Sequence, residues 1–80
     1  MDITQRELDQ FVEQVERLGY EVDNANITSY GLAEVVIYNN GNGHPKEWHY
    51  DITDIVRDMG FNDIDILNVS SDYLSAELYG

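Results

Sequence analysis

The segment from His44 to His49 holds residue types that could bind a metal ion. Glu47 and His49 stand two apart, a spacing that places both side chains on one face of a strand. A catalytic zinc ion needs three protein ligands that converge on it. His44 lies across Pro45, which is typical of a turn, and the spacing matches no zincin motif. We therefore expect surface turn and strand residues here, and neither a metal site nor a cofactor.

Asp63 and Asp65 flank Ile64 and would share one face of a strand. Two carboxylates can perform general acid–base catalysis when burial separates their pKa values. Their neighbours include Asn62 and Asn68, and no basic or hydroxyl partner stands close enough in the sequence to complete a catalytic group. The chain has no cysteine, and it contains no nucleophile elbow, phosphate loop or dinucleotide fingerprint. We expect solvated carboxylates in a protein that is not an enzyme.

Carboxylates also recur at helical spacing in two segments. The first set is Asp9, Glu13 and Glu16, and the second is Asp51, Asp54 and Asp58. The rise of a helix places i, i+4 carboxylates about 6 Å apart and i, i+7 carboxylates about 10 Å apart, a length of about three base steps of nucleic acid. Amphipathic helices commonly have a polar outer face, but such faces usually pair Glu with Lys. Here Lys46 is the single lysine.

The formal net charge is −12, from 16 Asp and Glu against 4 Lys and Arg, and the pI is about 4.1. Such a charge opposes compaction and repels both free nucleic acid and an anionic membrane surface. It indicates either adaptation to high salt, with acidity spread evenly, or a strongly positive partner, with acidity in stripes. The start of the chain shows no secretory signal, and the apolar run 35–38 is too short to span a membrane. These features predict a cytoplasmic protein.

Local signals predict the elements that position these carboxylates. Thr4 and Glu7 form a capping box, and apolar residues at helical spacing continue the helix over residues 5–18 until Gly19 ends it. Asp51 is predicted to cap a second helix that ends at Gly60. The predicted strands are 21–28 with a bulge, 32–38 in the centre of the sheet, 47–51 after a turn at 39–46, 63–70 and 73–79, with a short helix as the alternative for the last segment.

This order predicts one domain, residues 1–80, of the α+β class. An antiparallel sheet of four to five strands would carry two helices on one face, in the order α-β-β-β-α-β-β. The two halves also resemble each other as a degenerate helix–strand–strand duplication, which predicts a pseudo-twofold arrangement. The matched pairs are Gly19-Tyr20 with Gly60-Phe61, Tyr30 with Tyr73, and Ala33-Glu34-Val35 with Ala76-Glu77-Leu78.

A small, cysteine-free and strongly acidic chain of this kind resembles the phage-encoded inhibitors that copy the charge of nucleic acid, including anti-CRISPR proteins and other DNA mimics. The resemblance is one of type over the whole chain, without a diagnostic motif. It implies a stoichiometric inhibitor in the bacterial host cytoplasm. Its partner would be a basic nucleic-acid-binding protein or a CRISPR effector complex, which would lose access to DNA. The candidate partner-binding residues are Asp9, Glu13, Glu16, Asp51, Asp54, Asp58, Asp63 and Asp65.

Two other functions fit the same composition. An immunity or antitoxin-type protein would neutralise a basic nuclease toxin by nearly the same electrostatics. A generic interaction domain would use its acidity for solubility alone. The sequence leaves the target and the contacting surface open.

Overall fold

The computed structural model describes residues 2–40, 48–70 and 72–80, with the backbone alone at Trp48. Two helices and four strands follow one another in the order α-β-β-α-β-β, which confirms the predicted α+β class. The elements are α1 (Gln5–Arg17), β1 (Glu21–Ile27), β2 (Ala33–Tyr38), α2 (Trp48–Asp58), β3 (Asp63–Val69) and β4 (Tyr73–Tyr79).

Helix α1 begins and ends where its local signals predict. The Glu7 backbone N–H donates to Thr4 Oγ1 at 3.2 Å, and the Thr4 N–H donates to Glu7 Oε1 at 3.0 Å, so the capping box is complete. Gly19 then adopts a positive φ of 98°, which a residue without Cβ does at little cost. The apolar stripe of α1 is buried at Leu8, Phe11 and Val15.

The predicted strand at 47–51 is wrong in the part that the structure describes, because Trp48, His49 and Tyr50 form the first turn of α2. The Thr53 hydroxyl donates to the His49 carbonyl four residues earlier, as helical geometry requires. Asp51 therefore lies inside the first turn of α2 and not at the N-cap. A short alternation of aromatic residues fits a strand as well as a helix. The apolar face that α2 packs on the core favours the helix for these residues. Residues 41–47, which include most of the predicted turn, lie outside the described residues.

The four strands form one antiparallel sheet in the order β1-β2-β4-β3. Strand β2 lies inside the sheet, as its nearly continuous apolar sequence predicts. The predicted bulge in β1 falls between Val22 and Asn24, and β3 has a second bulge between Ile66 and Asn68. Each bulge lets an edge strand twist away from regular pairing while the central strands stay in register.

Both helices pack on the same face of the sheet, α1 over β1 and α2 over β3, and they contact each other. The core lies between the helices and the strands, and Phe11 meets Phe61 edge-to-face with 6.1 Å between ring centroids. The largest fully buried side chains are Phe11, Leu8, Ile37, Ile52, Leu74, Leu78, Val15 and Val35. Among the described residues, no element covers the other face of the sheet.

The two α-β-β halves meet where β2 pairs with β4. Ala33 pairs with Leu78, and Val35 pairs with Ala76. In the duplication Ala33 matches Ala76 and Val35 matches Leu78, so a twofold rotation that exchanges the two halves turns each of these pairs into the other. The pseudo-twofold axis passes between Glu34 and Glu77, which face each other directly. The match of Tyr30 with Tyr73 does not hold. Tyr30 lies in an exposed turn, whereas Tyr73 begins β4, because the loop between the strands is longer in the first half.

The positive φ of Gly60 at the C-terminal end of α2 gives a testable prediction. The Phe61 N–H donates to the Val56 carbonyl and the Gly60 N–H to the Arg57 carbonyl, which is a Schellman motif with Gly60 at φ 82°. A Cβ at Gly60 would meet nothing within 4 Å, so only backbone strain opposes a side chain there. We expect Gly60→Ala to lower the free energy of unfolding by about 1–2 kcal/mol in urea denaturation. Gly60→Asn, which tolerates this conformation better, should cost less; equal costs for the two variants would contradict the assignment to backbone strain.

Candidate functional site

The predicted partner-binding carboxylates fall on two opposite sides of the molecule. Those of α1 and α2 are exposed on the outer surface of the helix layer. Asp63 and Asp65 alternate with Ile64 and Ile66, which pack toward the core, and they therefore point to the uncovered side of the sheet. A single flat partner surface could not contact both groups.

Several carboxylates of the helix layer already have partners within that layer. Arg17 pairs with Glu13, and Arg57 pairs with Asp54 at 3.7 Å. The Gln5 side-chain amide donates to Asp9 at 2.9 Å. Exposed pairs of this kind contribute little stability, but they place both signs of charge on the outer surface of the helices. The negative charge of the carboxylates on α1 and α2 is therefore partly neutralised by groups on the same helices.

Asp51 has a structural contact in addition to its charge. The hydroxyl of the buried Tyr20 donates to Asp51 Oδ2 at 2.6 Å, which joins the end of α1 to the first turn of α2. Burial of the phenol, together with the hydrogen bond and the negative charge of Asp51, raises the pKa of Tyr20 to about 12. Asp51 thus links the two halves by one hydrogen bond, which occupies one of its two carboxylate oxygens.

The uncovered side of the sheet forms a second acidic surface, which we name the open face. Its members follow from strand alternation and from the register of the three strand pairs. They are Glu21, Asn24, Asn26, Glu34, Val36, Tyr38, Asp63, Asp65, Asn68, Tyr73, Ser75, Glu77 and Tyr79.

Three carboxylates form a row across the open face. Glu77 of β4 pairs directly with Glu34 on one side and with Asp65 on the other. Neighbouring strands lie about 4.8 Å apart, so the row extends about 10 Å. Like charges directly opposite each other on a sheet are destabilising. The register that buries the core thus imposes a repulsive arrangement on the opposite side of the same strands.

The described strands contain no residue that could neutralise this row. They carry Glu21, Asp23, Glu34, Asp63, Asp65 and Glu77, but no lysine, arginine or histidine. The ion pairs found among the described residues both lie within helices. The open face therefore presents a single sign of charge, whereas the helix layer presents both.

Tyrosines lie at both ends of the open face: Tyr79 stands two residues from Glu77 on β4, whereas Tyr38 and Tyr73 lie four residues, about 13 Å, from the carboxylate row. Tyr38 and Tyr73 face each other with ring centroids 6.4 Å apart, and the Asn68 side-chain amide donates to the Tyr73 hydroxyl at 2.8 Å. Desolvation and the negative charges of Glu77, Asp65 and Asp63 raise the pKa of Tyr79. Tyrosine is enriched at the centres of protein interfaces.

Sequence reasoning identified Asp63 and Asp65 but missed the rest of this surface. Glu34 and Glu77 each stand between two small or apolar residues that point to the core, and this alternation marks both as outward-facing. The same triplets supported the predicted duplication, yet they gave no sign that the two glutamates would meet. Their proximity depends on strand order, which local pattern does not specify.

The described residues offer little to a small ligand. Two surface pockets have volumes of about 210 Å³ each, below the roughly 300–1,000 Å³ usual for ligand sites. Within residues 2–40, 48–70 and 72–80, no group of three or more acidic or histidine side chains could hold a metal ion. His49 lies on α2, while His44 and Glu47 fall outside the described residues. None of the helices in the described ranges is both long and apolar enough to cross a membrane.

Comparisons with protein-family models, curated proteins and solved structures find no match for this chain.

The contact between Tyr20 and Asp51 predicts a loss of stability at high pH. A tyrosine whose folded pKa is about 12, above its unfolded value of 10, stabilises the fold below pH 10 and loses this contribution as pH rises toward 12. We expect the free energy of unfolding to fall by at most about 1.4 kcal/mol per pH unit in this window. Tyr20→Phe should remove the contribution of Tyr20, so that stability falls less steeply above pH 10, and should cost about 1 kcal/mol at pH 7. The exposed Tyr30→Phe is the control, and an unchanged pH profile in Tyr20→Phe would contradict the assignment.

The carboxylate row predicts that removing one charge stabilises the protein. Glu77→Gln relieves two like-charge pairs and should raise the free energy of unfolding by about 0.5–1 kcal/mol at low ionic strength. The gain should shrink in 1 M salt, where the screening length is about 3 Å. Asp23→Asn is the matched control, because this bulge residue of β1 has no paired residue in the register. Equal effects of the two substitutions would show that net charge, and not the row, sets the repulsion.

Proposed function

We propose that this protein is a non-enzymatic inhibitor that binds stoichiometrically to a basic nucleic-acid-binding surface of a target protein and thereby blocks access of nucleic acid. The observation that carries the proposal is the open face, where carboxylates from all four strands stand without a basic residue among them. A CRISPR effector complex is the target class that the resemblance to phage-encoded inhibitors favours, and its positively charged channel for nucleic acid is a surface of the required kind.

Electrostatic complementarity gives this mode of inhibition its physical basis. Lysine and arginine side chains that normally contact phosphates would contact carboxylates instead. A net charge of −12 would steer the inhibitor to a basic surface and accelerate association, with a strong dependence on ionic strength. The bound inhibitor would then exclude nucleic acid both by its volume and by its charge.

The arrangement of the charge favours a binding role over solubility alone. Solubility requires only that charges be exposed, and scattered positions would serve it equally well. The direct pairing of Glu34 with Glu77 costs stability in a chain whose charge already opposes compaction. A cationic partner would relieve this repulsion and would bind more tightly because of it.

Competition with nucleic acid tests the proposal. The protein is used as bait in a bacterial lysate that contains nucleases and CRISPR complexes, and each captured target is purified and mixed with its labelled DNA or RNA. We expect the protein to abolish nucleic-acid binding at a fixed stoichiometric ratio, in gel-shift or anisotropy assays at 50 mM salt. Binding of the protein to the purified target in the absence of nucleic acid should also weaken between 50 mM and 200 mM salt.

Two results would contradict this function. Captured targets that retain their nucleic acid when saturated with the protein would show that it does not block access. Turnover of substrate by the protein, or inhibition far below stoichiometric amounts, would indicate an enzyme. If the captured target is a toxin nuclease and not a CRISPR complex, the mode of inhibition stands and the target class changes to that of an immunity protein.

A further inference from the structure

We infer that the open face, and not the helix layer, makes the contact with the target, and that its ligands are arginine side chains of a protein surface. This inference rests on the proposed function and specifies which surface acts and what chemistry it recognises. The occupant is thus a partner protein whose contact surface is rich in guanidinium groups.

The carboxylate row has the geometry that guanidinium groups require. Glu34, Glu77 and Asp65 stand on three adjacent strands, held in position by backbone pairing on both sides of β4. A guanidinium group is planar and can donate two parallel hydrogen bonds to one carboxylate, which an ammonium group cannot do. The row therefore offers three neighbouring acceptors for bidentate contacts, on a backbone that does not need to rearrange.

The tyrosines favour arginine over lysine for a separate reason. Tyr38 and Tyr73 form a tilted pair on the open face, and Tyr79 pairs with Asp63 at the far end of β4. A guanidinium group can stack on a tyrosine ring while it donates to an adjacent carboxylate. The open face places Tyr38 beside Glu21 and Tyr79 beside Asp63, so that each of these tyrosines has a carboxylate on the neighbouring strand.

The helix layer lacks these properties. Glu13 and Asp54 are paired with arginines of their own helices, and Asp51 accepts from Tyr20. Arg6, Arg17 and Arg57 are exposed on α1 and α2 and would repel a basic partner. A basic target would therefore be repelled less by the open face than by the helix layer.

Matched variants test the inference with a defined probe. The sheet variant combines Glu34→Gln, Asp65→Asn and Glu77→Gln, and the helix variant combines Asp9→Asn, Glu16→Gln and Asp58→Asn. Each removes three negative charges, so that long-range attraction falls equally in both. The probe is a ten-residue arginine peptide, titrated into the ¹⁵N-labelled full chain and followed by NMR. All six substitutions replace exposed or half-exposed carboxylates with amides of the same shape, and the spectrum of each free variant verifies its fold.

For the unsubstituted protein we expect chemical-shift changes centred on the open face and a dissociation constant about threefold lower for the arginine peptide than for a ten-residue lysine peptide. The sheet variant should weaken arginine-peptide binding about tenfold, and the helix variant less than threefold. Shift changes centred on α1 and α2, equal losses in the two variants, or no preference for arginine over lysine would each overturn the inference.

The captured target separates this inference from the proposed function. If the unsubstituted protein displaces nucleic acid from the target, the proposed function holds. The sheet variant should then fail to displace it while the helix variant succeeds. Displacement by the sheet variant but not by the helix variant would leave the function standing and refute the open face as its surface. Failure of the unsubstituted protein would refute the function itself.

Discussion

The antiparallel pairing of β2 with β4 is the contact on which the rest of this structure depends. It joins the two α-β-β halves into one sheet and aligns the core residues Val35 and Ala76 beneath the helices. Because successive side chains alternate across a strand, the same register must bring Glu34 opposite Glu77 on the other side. The core and the acidic row are thus two consequences of one alignment, and neither can shift without the other.

The fold also distributes the charges of the described residues unequally between the helix layer and the sheet. The described basic residues lie on the helices, where neighbouring carboxylates can pair with them at i, i+3 or i, i+4. The strands have no such local partners, because a cross-strand neighbour comes from elsewhere in the sequence, and Glu77 has an acidic neighbour on both sides, Glu34 and Asp65. The helix layer is therefore the weaker candidate for binding cations, although its stripes are the more visible feature of the sequence.

The two-layer architecture leaves one sheet face without a helix above it, at least over the described residues. Such a face usually contacts water and carries mixed polar residues. Here it carries carboxylates, amides and half-buried tyrosines, a composition suited to recognition of another protein. The proposed binding to a basic surface would require no pocket in this face.

Local signals in the sequence determined the helix cap at Thr4, the helix ends at Gly19 and Gly60 and the bulge of β1, because each depends on neighbouring residues alone. The nearly continuous apolar sequence of β2 also predicted a position inside the sheet, but not which strands would flank it. The local pattern was ambiguous at Trp48–Tyr50, where three alternating residues fit two kinds of element, and the prediction of a strand failed. Only the tertiary structure decided that Glu34, Glu77 and Asp65 meet in one row. Strand order and register are set by how the whole core packs, and the pattern around any one of these residues carries no information about its cross-strand neighbour.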